Sequence, residues 1–306
     1  MPGYRGDVAS EEFDFPPRGE QRAERFLRAI EEGVASHGAA LMAILNVTPD
    51  SFSDGGRYLE RESAIARARE LVVAGANLVD LGAESTRPGA PGVPAAEQLR
   101  RTLPIVEALA GEVAITVDTT NAEVARTCLM AGAVAVNDVS CAGNARLGMA
   151  AAEMGAGYIL SHARQGQSEM TNFGAWPEED YADVVMDVRA ELLTARERLE
   201  KLGIRKEAII LDPGLGFTKS SLHSARLLAH VDELVQEGPV LIGSSRKSFL
   251  TLAVGSVPPT ERLGASVAAA LWAARRGARI VRVHDVVETS QALRTERWLA
   301  RASADA

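Results

Sequence analysis

The chain has two cysteines and four lysines, and its aromatic content is only 5% of 306 residues. Cys128 and Cys141 lie far apart with no CxxC spacing, which argues against a disulfide scaffold or a zinc cluster of paired thiols. Reduced core thiols in a cytosol are the reading that remains. No run of about 18 uninterrupted apolar residues occurs, so no membrane span is expected. The N-terminal stretch MPGYRGDVASEEFDFPPRGEQ lacks the apolar segment of a signal peptide. Net positive charge is also missing. The formal net charge of −8 argues against bulk binding to nucleic acid or to an anionic membrane. An anionic substrate would need a local cluster of cations. Of the lysines (Lys201, Lys206, Lys219 and Lys247), the last two fall in loops of functional character.

What is present suffices for a large core, with 46% hydrophobic and 24% charged residues. From about residue 41, short apolar runs alternate with longer amphipathic ones. The strand-like runs are MAILNV, LVDLGA, AITVD, VAVNDVS, YILSHA, AIILDPG, PVLIGSS and IVRVHDV. Helical character follows them, for example over Ala95–Leu109, Ala122–Ala131 and Tyr181–Leu202. Gly75, Gly132, Gly155, Gly203 and Gly277 read as helix stops. Eight strands alternating with helices imply a parallel sheet, and their near-continuous apolar character implies burial on both faces. The fold class expected is α/β, a (β/α)8 TIM barrel with an N-terminal helical extension. An open doubly wound sheet usually carries GxGxxG at its first turn, and none follows the first strand. Residues 1–40 are expected to form an arm and a capping helix (Phe26, Leu27, Ile30 and Val34 on one face). Residues 41–306 then form one barrel.

Hydrogen-bonding and ionisable residues end the strands: Asn46, Asp80–Glu84, Asp118, Asn137–Asp138, His162, Asp212, Ser245–Lys247 and Arg282–His284. In a (β/α)8 barrel those ends share one face, where active sites are built. Asn46, Asp118, Asn137 and Asp212 suit a flat heterocycle with an amidine-like N–H edge, since a carboxylate can accept two parallel hydrogen bonds. Arg87, Lys247, Arg282 and His284 suit phosphate groups. Asp212 opens DPGLGF, a proline-glycine turn that lets a ligand come close.

The motifs ILNVTPDSFSDGG, DLGAESTRPGA, VDTTNAEVA, VNDVS, ILDPGLGF, GSSRKSF and RVHDV follow one another over about residues 41–290. In this order the chain resembles the dihydropteroate synthase family of pterin-binding barrels. The resemblance implies condensation of 6-hydroxymethyl-7,8-dihydropterin diphosphate with p-aminobenzoate in folate biosynthesis. It implies that Asp118, Asn137, Asp212 and Lys247 hold the pterin. Asn46, Arg87, Arg282 and His284 would hold the diphosphate, with Asn46 also at a Mg2+ ion. Thr86, Pro88, Phe217 and Ser248 would line the p-aminobenzoate end. A cytoplasmic homodimer and a sulfonamide target are implied in the same way. On this layout Asp212→Ala abolishes pterin binding, while Arg282→Ala spares the ring and weakens the diphosphate.

The chain departs from the family pattern at Ala83, Asn121, Ala163, Arg164 and Thr218. Asn121 is expected to cap the next helix. A pterin-binding methyltransferase domain and a catalytically silent pterin binder are the alternatives. Elsewhere the readings are ordinary. His162 is a hydrogen-bonded structural histidine, Trp176 packs locally, and Met130, Met149 and Met154 fill core. Lys219 stays open between a surface cation and a site residue.

Overall fold

The eight apolar runs form eight parallel strands: β1 Ala40–Asn46, β2 Leu78–Gly82, β3 Ala114–Asp118, β4 Ala135–Asp138, β5 Gly157–Ser161, β6 Ile209–Asp212, β7 Leu241–Ile242 and β8 Ile280–Val283. The computed structural model describes residues 20–47, 57–84, 92–165 and 176–304. Hydrogen-bonded neighbours run β6-β5-β4-β3-β2-β1-β8-β7. A parallel bridge between Leu211 and Val240 joins the two ends and closes the barrel. Helices α1 Glu20–His37, α2 Arg57–Val73, α3 Ala95–Leu109, α4 Ala122–Met130, α5 Ala145–Glu153, α6 Val184–Lys201, α7 Ser221–Ala229, α8 Val231–Val235, α9 Thr251–Val254, α10 Leu263–Arg275 and α11 Val286–Ala304 complete the described regular structure, apart from short 3-10 turns. None of these helices is long and apolar enough to cross a membrane.

Side chains on a strand alternate between its two faces. Outward residues such as Leu41, Val79, Ile115, Val136, Leu160, Leu211 and Val281 pack with the helices in one large core. Inward residues form a second, smaller cluster: Met42, Leu78, Ala114, Ala135, Ile159, Ile210, Leu241 and Ile280 meet Phe26, Ala29 and Ile30 of α1. The amphipathic α1 therefore plugs the end of the barrel where the strands begin. Phe26 is fully buried there, a burial worth about 2–3 kcal/mol. A Cβ on Gly157 would lie 2.3 Å from the Phe26 ring, so the glycine that opens β5 makes room for the plug.

All five expected glycine stops have positive φ, between 57° and 115°. The Asn121 side chain accepts from the N–H groups of Glu123 and Val124, capping α4 as expected. Met130 and Met149 do not fill core: they are 58% and 47% exposed, on the outer faces of α4 and α5. Met154 does pack against the core, as does Trp176.

Candidate active site

Two residues beyond the apolar inward layer, the barrel interior turns polar. Leu78 gives way to Asp80, Ala114 to Thr116, Ala135 to Asn137, Ile159 to Ser161, Ile210 to Asp212 and Ile280 to Arg282. One further step along the strands come Asn46, Gly82, Asp118 and His284. The same alternation that makes the plug thus delivers charge to the opposite end.

At the centre one guanidinium faces two carboxylates. Arg282 Nε donates to Asp80 Oδ2 at 2.6 Å, and Nη2 donates to Asp118 Oδ2 at 3.0 Å. Burial opposes the Arg282 charge, but Asp80 and Asp118 outweigh it and hold the group firmly protonated. One negative charge is left over. Burial, and then the nearby Asp80, push the Asp118 carboxyl up to about 7. Asp80 is fully buried. It also accepts from Thr116 Oγ1 and, at 2.9 Å, from Asn137 Nδ2. The Asn137 carbonyl oxygen is buried with no partner among the described residues.

Beside this cluster stands Asp212. Its Oδ2 accepts from Ser161 Oγ and its Oδ1 from the Gly214 N–H, both at 2.7 Å. Gly214 has φ +63°, and a Cβ there would lie 2.0 Å from the His162 carbonyl oxygen, so the turn after Asp212 admits only glycine. Lys247 donates to the Leu215 carbonyl of that turn, and its ammonium lies 4.6 Å from the centre of the Phe217 ring. Burial lowers the Lys247 pKa to about 8, despite the pull of Asp212 and Asp118. Phe217 itself is buried against Val139 and Ala163. Ser248 opens a 3-10 turn just past Lys247 and is half-buried.

Ser245 Oγ accepts from the His284 backbone N–H at 3.2 Å and lies 3.0 Å from His284 Nδ1. When the Ser245 hydroxyl donates to Nδ1, the ring proton sits on Nε2. Burial first, then Arg246 and Arg282, push His284 down to about 4. At neutral pH this leaves a neutral imidazole with an N–H to offer. Asn46 stands across from Gly82 in the β1–β2 register. A Cβ on Gly82 would lie 3.0 Å from Asn46 Oδ1 and 3.7 Å from Asp118 Cβ, which puts Asn46 on the rim beside the carboxylates.

The structure therefore brings Asn46, Asp118, Asn137, Asp212, Phe217, Lys247, Ser248, Arg282 and His284 to one end of the barrel. Thr86, Arg87 and Pro88 lie outside the described residues. Asp80, which the sequence placed among the strand ends without a ligand to hold, and Thr116 and Ser161, which it did not single out, are further polar residues of the mouth. Their signal was an ionisable or hydroxyl group inside an apolar strand; Asp80 pairs with Thr116, and Ser161 with Asp212, in the sheet register.

Lys219 is not a surface cation. It is fully buried, and donates to His162 Nδ1 at 2.8 Å and to the Phe217 carbonyl at 2.9 Å. Burial pulls its pKa down to about 7. His162 carries its proton on Nε2, which faces Glu191 at 2.8 Å. It is a hydrogen-bonded structural histidine, as expected. Thr218 between these groups has φ +46°, a conformation unfavourable for a β-branched residue. It is held by the Arg164 N–H on its hydroxyl and by Tyr181 on its carbonyl.

A family model described as pterin binding enzyme matches residues 42–284. The chain is 42% identical over 257 residues to a dihydropteroate synthase of Escherichia coli (strain K12), covering 83% of this chain and 89% of that protein. It is 44% identical over 258 residues to a probable bifunctional folylpolyglutamate synthase/dihydropteroate synthase of Haloferax volcanii, covering 84% of this chain; it spans only 30% of that longer protein. A solved dihydropteroate synthase from Xanthomonas albilineans, with 4-aminobenzoic acid, superposes with a TM-score of 0.78 at 40% identity, covering 86% and 93% of the two chains.

Proposed function

We propose a division of labour in the barrel mouth from the premise that the chain belongs to the pterin-binding enzyme family and has dihydropteroate synthase activity. The enzyme is a transferase of folate biosynthesis, and its class is a sulfonamide target. Asp212, Asp118 and Asn137 take the hydrogen-bonding edge of the pterin, and Lys247 packs against the ring. Arg282, His284, Asn46 and Arg87 take the diphosphate. Phe217, Ser248, Thr86 and Pro88 line the p-aminobenzoate end. The observation that carries this reading is the buried Asn137 carbonyl oxygen, which has no partner among the described residues. Buried acceptors are nearly always satisfied, so a donor from a ligand is expected there.

The methylene–oxygen bond of the pterin diphosphate breaks, and diphosphate leaves with the bonding electrons. The positive charge left on the methylene is delocalised into the ring and favoured by Asp118 and Asp212. The neutral aniline nitrogen of p-aminobenzoate then attacks and loses a proton, so no strong general base is required. Arg282 and the His284 N–H stabilise the charge growing on the departing oxygens. Among the described residues no group of three or more His, Cys, Asp or Glu could hold a metal ion. The amide oxygen of Asn46, a hard donor, would hold a Mg2+ ion at the diphosphate end. When bound, the ion neutralises charge on the leaving group.

In the assay, protein, Mg2+, pterin diphosphate and p-aminobenzoate are mixed. Diphosphate release that requires the aniline is expected; pterin binding without turnover contradicts the proposal. The pH dependence follows from two groups. Asp118 must be ionised to accept from the ring, and it protonates as pH falls through about 7. Lys247 must keep its proton, and loses it as pH rises through about 8. The kcat/KM for pterin diphosphate is therefore expected to be bell-shaped and narrow, with its maximum between those limbs. A plateau from pH 5 to 7 contradicts the role of Asp118. Gly82→Ala offers a gentler probe, because its methyl displaces the exposed Asn46 amide rather than core. The kcat/KM is expected to fall about tenfold, with stability changed by less than about 1 kcal/mol.

We further propose that residues 1–40 form an arm and cap over a single barrel of residues 41–306. Unpaired Cys128 and Cys141 fit a cytoplasmic enzyme. The exposed Trp272, Val287, Trp298 and Leu299 on α10 and α11 fit a homodimer packed through barrel helices. Sedimentation as a monomer at assay concentration contradicts the dimer.

A further inference from the structure

We infer that Asp80 is the positioning residue of this mouth: one buried carboxylate fixes the amide of Asn137 for the pterin and the guanidinium of Arg282 for the diphosphate. The inference rests on the roles proposed above for Asn137 and Arg282. Asp80 sits in the middle of β2, below the ligand-facing rim, and is fully buried. Three donors converge on its two oxygens. Thr116 Oγ1 takes Oδ1, while Asn137 Nδ2 and Arg282 Nε share Oδ2 at 2.9 and 2.6 Å.

Each contact has a directional consequence. An asparagine amide can turn its oxygen or its NH2 toward a ligand. A carboxylate accepts only, so Asp80 claims the NH2 and forces the oxygen the other way. That oxygen is the buried one with no partner among the described residues. Arg282 is held by Nε, close to the stem, while Nη2 reaches Asp118. The Nε anchor lets Nη2 exchange Asp118 for a phosphate oxygen without releasing the side chain. Asp118 then becomes available to the ring. A neutral residue at position 80 frees the Asn137 amide to turn over and leaves Arg282 on Asp118.

Binding of two probes, 6-hydroxymethyl-7,8-dihydropterin and inorganic diphosphate with Mg2+, tests this by titration calorimetry. Asn137→Ala is expected to weaken the pterin probe about tenfold and to leave diphosphate unchanged. Asp80→Asn is expected to weaken both, each by about tenfold or more. The double variant should bind the pterin no worse than about threefold below Asp80→Asn alone, because the two changes remove one interaction. A second readout separates positioning from mere support. The groups facing Asp118 are Asp80, Arg282, Asp138, Glu84 and Lys247. Removing the Asp80 charge lets Asp118 ionise more readily, so the pH below which the pterin probe is lost should move down by about half a unit or more.

If Asn137→Ala leaves pterin affinity intact, the pocket reading fails and this inference falls with it. If Asn137→Ala behaves as expected while Asp80→Asn binds both probes like the parent, or the pterin losses multiply, Asp80 is only structural. Should Asp80→Asn not fold, Thr116→Val carries the test. It removes one donor from Asp80 without touching a ligand-facing group. Weakening of both probes by about two- to fivefold supports the inference, and unchanged affinities overturn it.

Discussion

Asp212→Ala is expected to lower kcat/KM for pterin diphosphate by about 10²–10⁴ and to remove measurable binding of the pterin ring. The estimate takes two hydrogen bonds to a charged acceptor, each worth about 1.5–3 kcal/mol. The carboxylate is oriented by the fold itself, held from one side by Ser161 and from the other by the Gly214 N–H. Its loss also leaves those two donors unpaired in a buried place, so a stability loss of about 1–3 kcal/mol accompanies the functional one. Asp212→Asn separates the two effects. The amide oxygen can keep the Gly214 bond, but its NH2 meets the donor edge of the ring. Stability near the parent with pterin affinity almost as poor as in the alanine variant is the expected pattern. Calorimetry with pterin diphosphate reads the affinity, and urea unfolding reads the stability.

Arg282→Ala is expected to be the most destabilising change in the mouth, by about 3–5 kcal/mol, because it strands two buried carboxylates. For a chain of this size that corresponds to a drop in Tm on the order of 5–10 °C. The deficit should depend on pH. Asp118 already has its pKa raised in the folded protein, to about 7, and loss of the guanidinium raises it further. The folded state then holds a proton that the unfolded state has released above about pH 4. Such a group costs stability as pH rises through that window, so the variant's deficit should be smaller at pH 5 than at pH 8. Scanning calorimetry at the two pH values checks the sign. The variant also changes a sequence-based expectation. From sequence, Arg282→Ala should spare the ring; in the structure Arg282 touches Asp118 at 3.0 Å, so ring affinity at neutral pH is expected to fall together with diphosphate affinity.

The barrel was legible because its signals are local. Alternation along each strand, a glycine past many helices and an Asn at the α4 cap need no knowledge of distant residues. Convergence of the strand ends followed from topology once the barrel was recognised. Other features depend on neighbours far along the chain. Asp80 looks like an isolated acid within LVDLG until Thr116, Asn137 and Arg282 are brought around it. Lys219 has an ordinary loop context, and its burial comes from His162 and the Phe217 carbonyl folding over it. Met130 and Met149 fit the apolar pattern of their helices yet lie on outer faces, since composition alone does not say which way a helix turns. Residue type alone does not show that burial beside Arg246 and Arg282 lowers the His284 pKa.

The central claim is that a single mouth grips a pterin with carboxylates and an amide oxygen on one side, and its leaving diphosphate with Arg282 and His284 on the other. A crystal structure of the protein with 6-hydroxymethyl-7,8-dihydropterin and diphosphate tests it most directly. The account predicts the ring edge on Asp212, Asp118 and the Asn137 carbonyl oxygen, with diphosphate oxygens on Arg282 Nη2 and His284 Nε2. A ring seated away from Asp212, or a diphosphate bound while Arg282 Nη2 still holds Asp118, would contradict it.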